Sequence, residues 1–183
     1  MIKEQTKKIE IGIVIKQGIS ENQVSGVYLG IGSNLGNKIN NIEKAKFLLM
    51  INGINIIKSS SYYETLSWPN PNMPKFLNIV ILVKADFPPI KLLEILKKIE
   101  IQLGRKKNKK NSPRECDIDI IDYKNEITEG NIKIPHQRMH QRNFVLFPLY
   151  ELDKKWIHPI LKITIKKLIF SLPIKDIRSI KQI

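Results

Sequence analysis

The 183-residue sequence predicts an α+β fold, and three observations support it. Its apolar residues switch between the two-residue period of strands and the three-to-four-residue period of helices. Between residues 25 and 123 the switches fall in the order β-α-β-β-α-β. Gly or Pro stands at most of the switches, where turns and helix ends need it.

Residues 1–25 precede that pattern. Ile9, Ile11, Ile13 and Ile15 alternate as a strand would, and the stretch lacks the apolar run and small-residue cleavage site of a secretory signal. An extra strand, a ragged extension and a mis-assigned start all fit, so residues 1–25 are set apart as an N-terminal extension. Val27 to Ile31 is expected to be a buried strand ending in the turn cluster Gly32-Ser33-Asn34-Leu35-Gly36. Ile42, Ala45, Leu48 and Leu49 follow at helical spacing, closed by Asn52-Gly53. Ile54 to Tyr63 suits a second strand. Pro69, Pro71 and Pro74 then make an irregular loop around Trp68.

Phe76 to Lys84 is the third strand. Pro88-Pro89 opens a helix with the stripe Leu92, Leu96, Ile99 and Leu103, capped by Gly104. After the cationic run 105–110, Cys116 to Tyr123 is the fourth strand. Ile127 and Ile132 to Ile134 suggest a short hairpin, and helices are expected over Asn143 to Leu152 and Ile160 to Ser171. The order is that of a ferredoxin-like unit: an antiparallel sheet with helices packed on it, here with an extra C-terminal hairpin and helices. No repeat or linker interrupts residues 26–183, which are expected to form one domain.

The formal charge of +14 invites a nucleic-acid partner, but composition argues against taking it at face value. Lys accounts for 26 of the 31 basic residues, Ile occurs 34 times, Asn 15 times and Ala twice. Ile, Lys and Asn share AT-rich codons, so a genome-wide bias accounts for much of the Lys as solvated surface. One cysteine, Cys116, excludes an internal disulfide framework and suits a reducing cytoplasm. No apolar run approaches the ~20 residues of a membrane-spanning helix, so no membrane partner is expected.

The strongest chemical signal is Asp117-Ile118-Asp119. Residues two apart on a strand share a face, so both carboxylates project together while Cys116, Ile118 and Ile120 enter the core. Paired carboxylates repel unless a cation separates them, and hard oxygen ligands suit Mg²⁺ when phosphates complete its shell. Two solvent-facing acids on a half-exposed strand would carry the same sequence. Context favours the metal: four of the five arginines, Arg105, Arg114, Arg138 and Arg142, fall within residues 105–142. Arg grips phosphate bidentately, so where codon bias favours Lys, a retained Arg marks a place where Lys does not serve. Phe76 and Asn78 share a strand face and could offer a ring and an amide to a planar heterocycle, although core plus turn is the commoner use of such a pair. Gly32 to Ile39 fails as a P-loop because Asn37 and Ile39 replace the required Gly and Ser or Thr. His136 and His140 have zincin spacing, but Gln137 replaces the general-base Glu. His136 fits better beside an anion, and either histidine could equally be plain surface.

Taken together, Val27-Tyr-Leu-Gly-Ile-Gly-Ser-Asn-Leu-Gly36, Ser60-Ser-Tyr-Tyr-Glu-Thr65, Phe76-Leu-Asn78, Glu100-Ile-Gln-Leu-Gly-Arg105, Pro113-Arg-Glu-Cys-Asp-Ile-Asp119, Pro135-His136 and Arg142-Asn-Phe-Val-Leu-Phe-Pro-Leu149 resemble the 6-hydroxymethyl-7,8-dihydropterin pyrophosphokinases of folate biosynthesis. The resemblance covers about residues 27–160. It implies an ATP-dependent enzyme that transfers pyrophosphate to the pterin hydroxymethyl group and releases AMP. By the same resemblance, Asp117 and Asp119 bridge two Mg²⁺ to the ATP phosphates. Phe76 and Phe144 sandwich the pterin, whose polar edge is read by Asn78 and the Thr65 backbone. Arg105, Arg114, His136 and Arg142 contact the triphosphate, with Arg105 and Arg114 counted among the catalytic residues. Lys107 replaces a phosphate-binding Arg, and Glu100 and Ile120 lie near the nucleoside. Asn111-Ser112 stands where members commonly carry Trp-Gly, the segment 105–114 is one residue shorter, and the proline loop differs from the usual Gln-Pro wording. The small molecules ATP and pterin are the expected partners of a cytoplasmic monomer. The competing expectation is a non-catalytic, basic, ferredoxin-like RNA-binding module, but the third strand offers only Phe76 for stacking and the fourth carries two carboxylates.

Overall fold

A computed structural model describes residues 26–68, 70–105, 112–130 and 132–183. The alternation at residues 9–15 and residues 106–110 of the cationic run, with Lys107, lie outside the described residues. Strand β1 (Val27–Ser33) is followed by α1 (Lys38–Ile51), β2 (Asn55–Ser59), β3 (Tyr63–Thr65), β4 (Phe76–Lys84), α2 (Pro89–Gln102) and β5 (Asp117–Tyr123). A single 3-10 turn (Met139–Gln141) leads into α3 (Asn143–Leu152), α4 (Ile165–Phe170), α5 (Ile174–Ser179) and β6 (Lys181–Gln182). The sheet runs β5-β1-β4-β3-β6, with β2 also on β4, and every pairing is antiparallel. The order β5-β1-β4-β2 is the ferredoxin-like arrangement that the sequence predicts.

The two faces of the sheet bury different things. One face presents Val27, Leu29 and Ile31 of β1 with Ile79, Ile81, Ile118 and Ile120, and packs on Ile42, Ala45 and Leu49 of α1 and Leu92, Leu96 and Ile99 of α2. Each such side chain contributes about 1.5–3 kcal/mol by leaving water. Asn37 starts α1, its Oδ1 accepting from the Asn40 amide at 3.0 Å, and Gly53 ends the turn after it at φ +78°. On the other face Tyr28, Val80, Leu82 and Ile121 pack on Val145, Leu146 and Leu149 of α3, Trp156 and Ile165 of α4. That cover reaches only part of the sheet. The uncovered part is the cleft described below.

Three expectations are corrected. The second strand is broken: β2 and β3 are separate, because the Ser60 hydroxyl, not a ladder carbonyl, accepts from the Val80 amide (3.0 Å) and Glu151 on α3 accepts from the Ser61 amide (3.0 Å). The helix expected over Ile160 to Ser171 is confined to Ile165–Phe170. Before it, Ile157 bridges Thr164 in a tight hairpin that turns through Lys162 at φ 57°. The turn expected at Gly32 begins two residues later, since Gly32 and Ser33 still pair with β4. The short hairpin survives as one bridge, Thr128 to Ile134. No helix of the described residues is long and apolar enough to cross a membrane.

Candidate active site

The register of the three central strands builds the cleft. Asp117 pairs with Gly32 and Gly32 with Asn78, while Asp119 pairs with Gly30 and Gly30 with Val80. Because glycine has no side chain, the two carboxylates stand beside bare backbone, and the space above β1 stays open. A Cβ on Gly32 would lie 2.9 Å from Asn78 Oδ1 and 3.3 Å from Phe76 Cδ1, so this position must be glycine for Asn78 and Phe76 to sit where they do. Ile118 and Ile120 are buried against the helices, and Asp117 and Asp119 project to the other side.

Cations hold both carboxylates. Asp117 accepts from Arg105 Nη1 at 2.8 Å and Arg114 Nη2 at 2.6 Å, and Asp119 Oδ2 lies 3.4 Å from Arg142 Nη1 and 3.9 Å from His136 Nε2. Burial pushes the Asp117 carboxyl up, but Arg114 and Arg105 outweigh it and hold it below the usual carboxylate range. Burial pushes His136 down, against the pull of Asp119, and Arg142 pushes it down further. Its Nδ1 accepts from the Arg138 amide at 3.2 Å, so the neutral ring carries its proton on Nε2, on the side of the Asp119 carboxylate.

Aromatic rings close the sides. Phe76, Phe144 and Trp68 all line the cleft with Asn78 and Thr65. The Arg114 guanidinium lies 5.5 Å from the Phe76 centroid and that of Arg142 5.4 Å from Phe144. Arg138 and Arg142 stack on Trp68 at 5.0 and 5.7 Å. The Asn78 amide donates to Thr65 Oγ1 at 3.0 Å, which locks Thr65 at the rim. Arg105 divides its charge between Asp117 and the buried Glu100, while Arg114, Arg138 and Arg142 face the cleft, so cations outnumber carboxylates there. Nε of Arg114 and of Arg142 are buried with no hydrogen-bond partner among the described residues. Such a site suits an anion with several oxygens.

The donor chemistry also fits Mg²⁺. Two carboxylates on one strand face, with no neighbouring side chain on β1 to crowd them, offer hard oxygen ligands and leave room for phosphate and water.

Most of the expected site residues converge here: Thr65, Phe76, Asn78, Arg114, Asp117, Asp119, Arg142 and Phe144 line one cleft, and Arg105 and His136 reach its carboxylates. Glu100 and Ile120 do not line it. Glu100 is fully buried on α2, accepting from the Ile118 amide at 2.7 Å and pairing with Arg105 and Lys97. Ile120 lies in the core below the sheet. Both therefore brace β5 from behind.

Sequence patterns alone missed three contributors: Trp68, the glycines of β1, and Asn34. Buried Asn34 ties three segments together. Its Oδ1 accepts from the Arg114 amide (2.8 Å), and its Nδ2 donates to the Pro74 carbonyl (3.2 Å) and lies 3.4 Å from Ser67 Oγ. Two turn-prone residues either side of a strand end carry no sign of such a tie. The Gly30-x-Gly32 alternation did carry the signal for an open strand face.

Comparison with known proteins identifies the family. A family model described as 7,8-dihydro-6-hydroxymethylpterin-pyrophosphokinase (HPPK) matches residues 28–154. The chain is 41% identical over 142 residues to the 2-amino-4-hydroxy-6-hydroxymethyldihydropteridine pyrophosphokinase of Aquifex aeolicus, a match covering 77% of this chain and 88% of that protein. It is 38% identical over 149 residues to a folic acid synthesis protein of Pneumocystis carinii, covering 80% of this chain and 20% of that one. A solved HPPK-DHPS structure from Plasmodium falciparum shares its fold with a TM-score of 0.60 at 17% identity, over 78% of this chain and 42% of the other. The chain thus spans less than half the length of these larger relatives and most of the Aquifex one. On the match to residues 28–154 and the identity to the Aquifex protein, the chain belongs to the 7,8-dihydro-6-hydroxymethylpterin-pyrophosphokinase family.

Proposed function

We propose that this chain transfers pyrophosphate from ATP to 6-hydroxymethyl-7,8-dihydropterin, as its family does in folate synthesis, with the cleft on the open face of the sheet as its active site. The observation that carries the assignment is the row Asp117–Gly32–Asn78, which sets a carboxylate and a heterocycle-reading amide either side of bare backbone. In the reaction the pterin hydroxyl oxygen bonds to the β-phosphorus. The bond from that phosphorus to the oxygen bridging to the α-phosphate breaks, AMP leaves with that oxygen, and the hydroxyl proton passes to solvent.

Phe76 and Phe144 would hold the pterin ring between them, with Asn78 and the Thr65 backbone against its polar edge. Arg114 and Arg142, whose Nε donors have no partner among the described residues, would take the phosphate oxygens, and Arg105 and neutral His136 would add donors at the far side. Lys107, Glu100 and Ile120 complete the proposed nucleotide site, the last two by fixing β5. Asp117 and Asp119 would hold two Mg²⁺, which when bound supply Lewis-acid neutralisation of the phosphate charge. No side chain of the cleft stands out as a strong general base, so positioning and charge complementarity are assigned most of the rate. The reading places a monomer in the cytoplasm, in line with a lone, fully buried Cys116.

The test is AMP formation from ATP, Mg²⁺ and the hydroxymethyl pterin by the wild type and Asp119→Asn. A fall of at least about 100-fold with retained folding is expected; an unchanged rate would remove Asp119 from the site.

A further inference from the structure

We propose that Arg138, aimed by Trp68, is a further phosphate-binding residue of the cleft, and that it holds the two phosphates that stay with the pterin. The inference rests on the reaction proposed above and adds a residue that the reaction has not yet used.

Charge distinguishes Arg138 from the other arginines of the site. Arg105 pairs with Asp117 and Glu100, Arg114 with Asp117, and Arg142 with Asp119. Arg138 lines the same cleft, and among the described residues it pairs with no carboxylate. Its guanidinium shares the Trp68 ring with that of Arg142, at 5.0 and 5.7 Å from the centroid. Two cations held on one ring repel each other, and an anion with several oxygens placed against both relieves that repulsion.

Both partners of the stack are anchored. Next to Trp68, the Ser67 hydroxyl donates to the Pro74 carbonyl at 2.6 Å, and the Asn34 amide donates to the same carbonyl at 3.2 Å. On the other side Met139, the residue after Arg138, is fully buried, and the Arg138 amide donates to His136 Nδ1 at 3.2 Å. Trp68 itself stays half exposed, whereas the other tryptophan, Trp156, is buried. The role of such a ring at the rim of a polar cleft is to carry the two cations stacked on it. A guanidinium that stacks through its face keeps its N–H donors free in the plane, where phosphate oxygens are bound. Trp68 therefore orients Arg138 without using up its donors.

Position decides which phosphates Arg138 meets. Trp68 follows Thr65 by three residues, and Arg142 lies over the Phe144 ring as well as over Trp68. Thr65 and Phe144 are assigned to the pterin, so the stack stands on the pterin side of the cleft. The β- and γ-phosphates end on that side, and the α-phosphate leaves with AMP. Arg138 should therefore bind a diphosphate and contribute nothing to AMP.

Titration calorimetry of the full chain with Mg²⁺ and inorganic pyrophosphate, and separately with AMP, tests the proposal. Arg138→Gln should weaken pyrophosphate binding at least about tenfold and leave AMP within about twofold. Arg138→Lys keeps the charge but not the planar stack, and should recover only part of the loss. Trp68→Ala should weaken pyrophosphate binding about two- to fivefold and Trp68→Phe should restore it, as expected of a ring that positions a cation. Pyrophosphate affinity in Arg138→Gln that matches the wild type would overturn the proposal. So would equal losses for both ligands, or no pyrophosphate binding by the wild type. The titration contains neither ATP nor pterin, so its outcome is separate from that of the AMP-forming assay.

Discussion

Replacing Gly32 by Ala would put a Cβ 2.9 Å from Asn78 Oδ1 and 3.3 Å from Phe76 Cδ1. Asn78 cannot simply swing away, because its amide nitrogen is bonded to Thr65 Oγ1 at 3.0 Å and it is buried. Either Asn78 gives up that bond or β1 and β4 shift, and overpacking of this kind costs about 1–3 kcal/mol. Both displaced groups are the ones assigned to the pterin, and neither is assigned to ATP. Pterin affinity should therefore fall by about 10- to 100-fold, or ~1.4–2.7 kcal/mol, while affinity for a non-hydrolysable ATP analogue stays within about twofold. Titration calorimetry with each ligand alone measures both. Gly30→Ala is the control. Its Cβ would meet the Ile121 Cδ1 tip at 3.2 Å, a flexible side-chain end that can move, so pterin binding should change little. Unchanged pterin affinity in Gly32→Ala would refute the placement of the pterin beside Asn78 and Phe76.

Arg114→Lys keeps the charge but cannot bond Asp117, reach the Ser112 carbonyl and lie over Phe76 at once, so turnover should drop by about 100-fold; wild-type turnover would show that Lys serves there. Burial raises the Asp122 carboxyl, which accepts from Trp156 Nε1 at 2.8 Å, to about 6. A folded-state value above the unfolded one makes its contribution to stability complete at low pH and lost as pH rises from about 4 to 6, by roughly 3 kcal/mol. Asp117, held low by its arginines, has the opposite sign: its contribution is present above the unfolded carboxylate range and fades as acid protonates it. A carboxyl titration by NMR with an Asp122 midpoint near 4 would contradict this.

The elements legible in the sequence were those whose pattern is local. The Asp117–Asp119 face, the third strand and the α2 stripe follow from periods of two and of three to four, and the structure keeps them. Where a distant group decides, the pattern is silent. Ile54 to Tyr63 is strand-prone throughout, yet a carboxylate 90 residues away on α3 and the Ser60 hydroxyl break it. In β5 the alternation holds through Ile121 and slips at Asp122, because Ile121 is bulged out opposite Tyr28 and Leu29. Ile121 and Asp122 both then serve the α3 side, Ile121 as core and Asp122 as the acceptor for Trp156. The site was legible in kind because carboxylates, arginines and rings have few joint uses. Trp68 and Asn34 were not, since their roles rest on contacts between loops.

The central claim is that the whole pyrophosphoryl group moves in one step to the pterin hydroxyl. ATP labelled separately at the β- and γ-phosphorus, incubated with Mg²⁺, the hydroxymethyl pterin and this protein, tests it most directly. Both labels should appear in the pterin product in equal amounts, with one unlabelled AMP per product. A pterin product carrying only the γ label, with ADP left behind, would contradict the account.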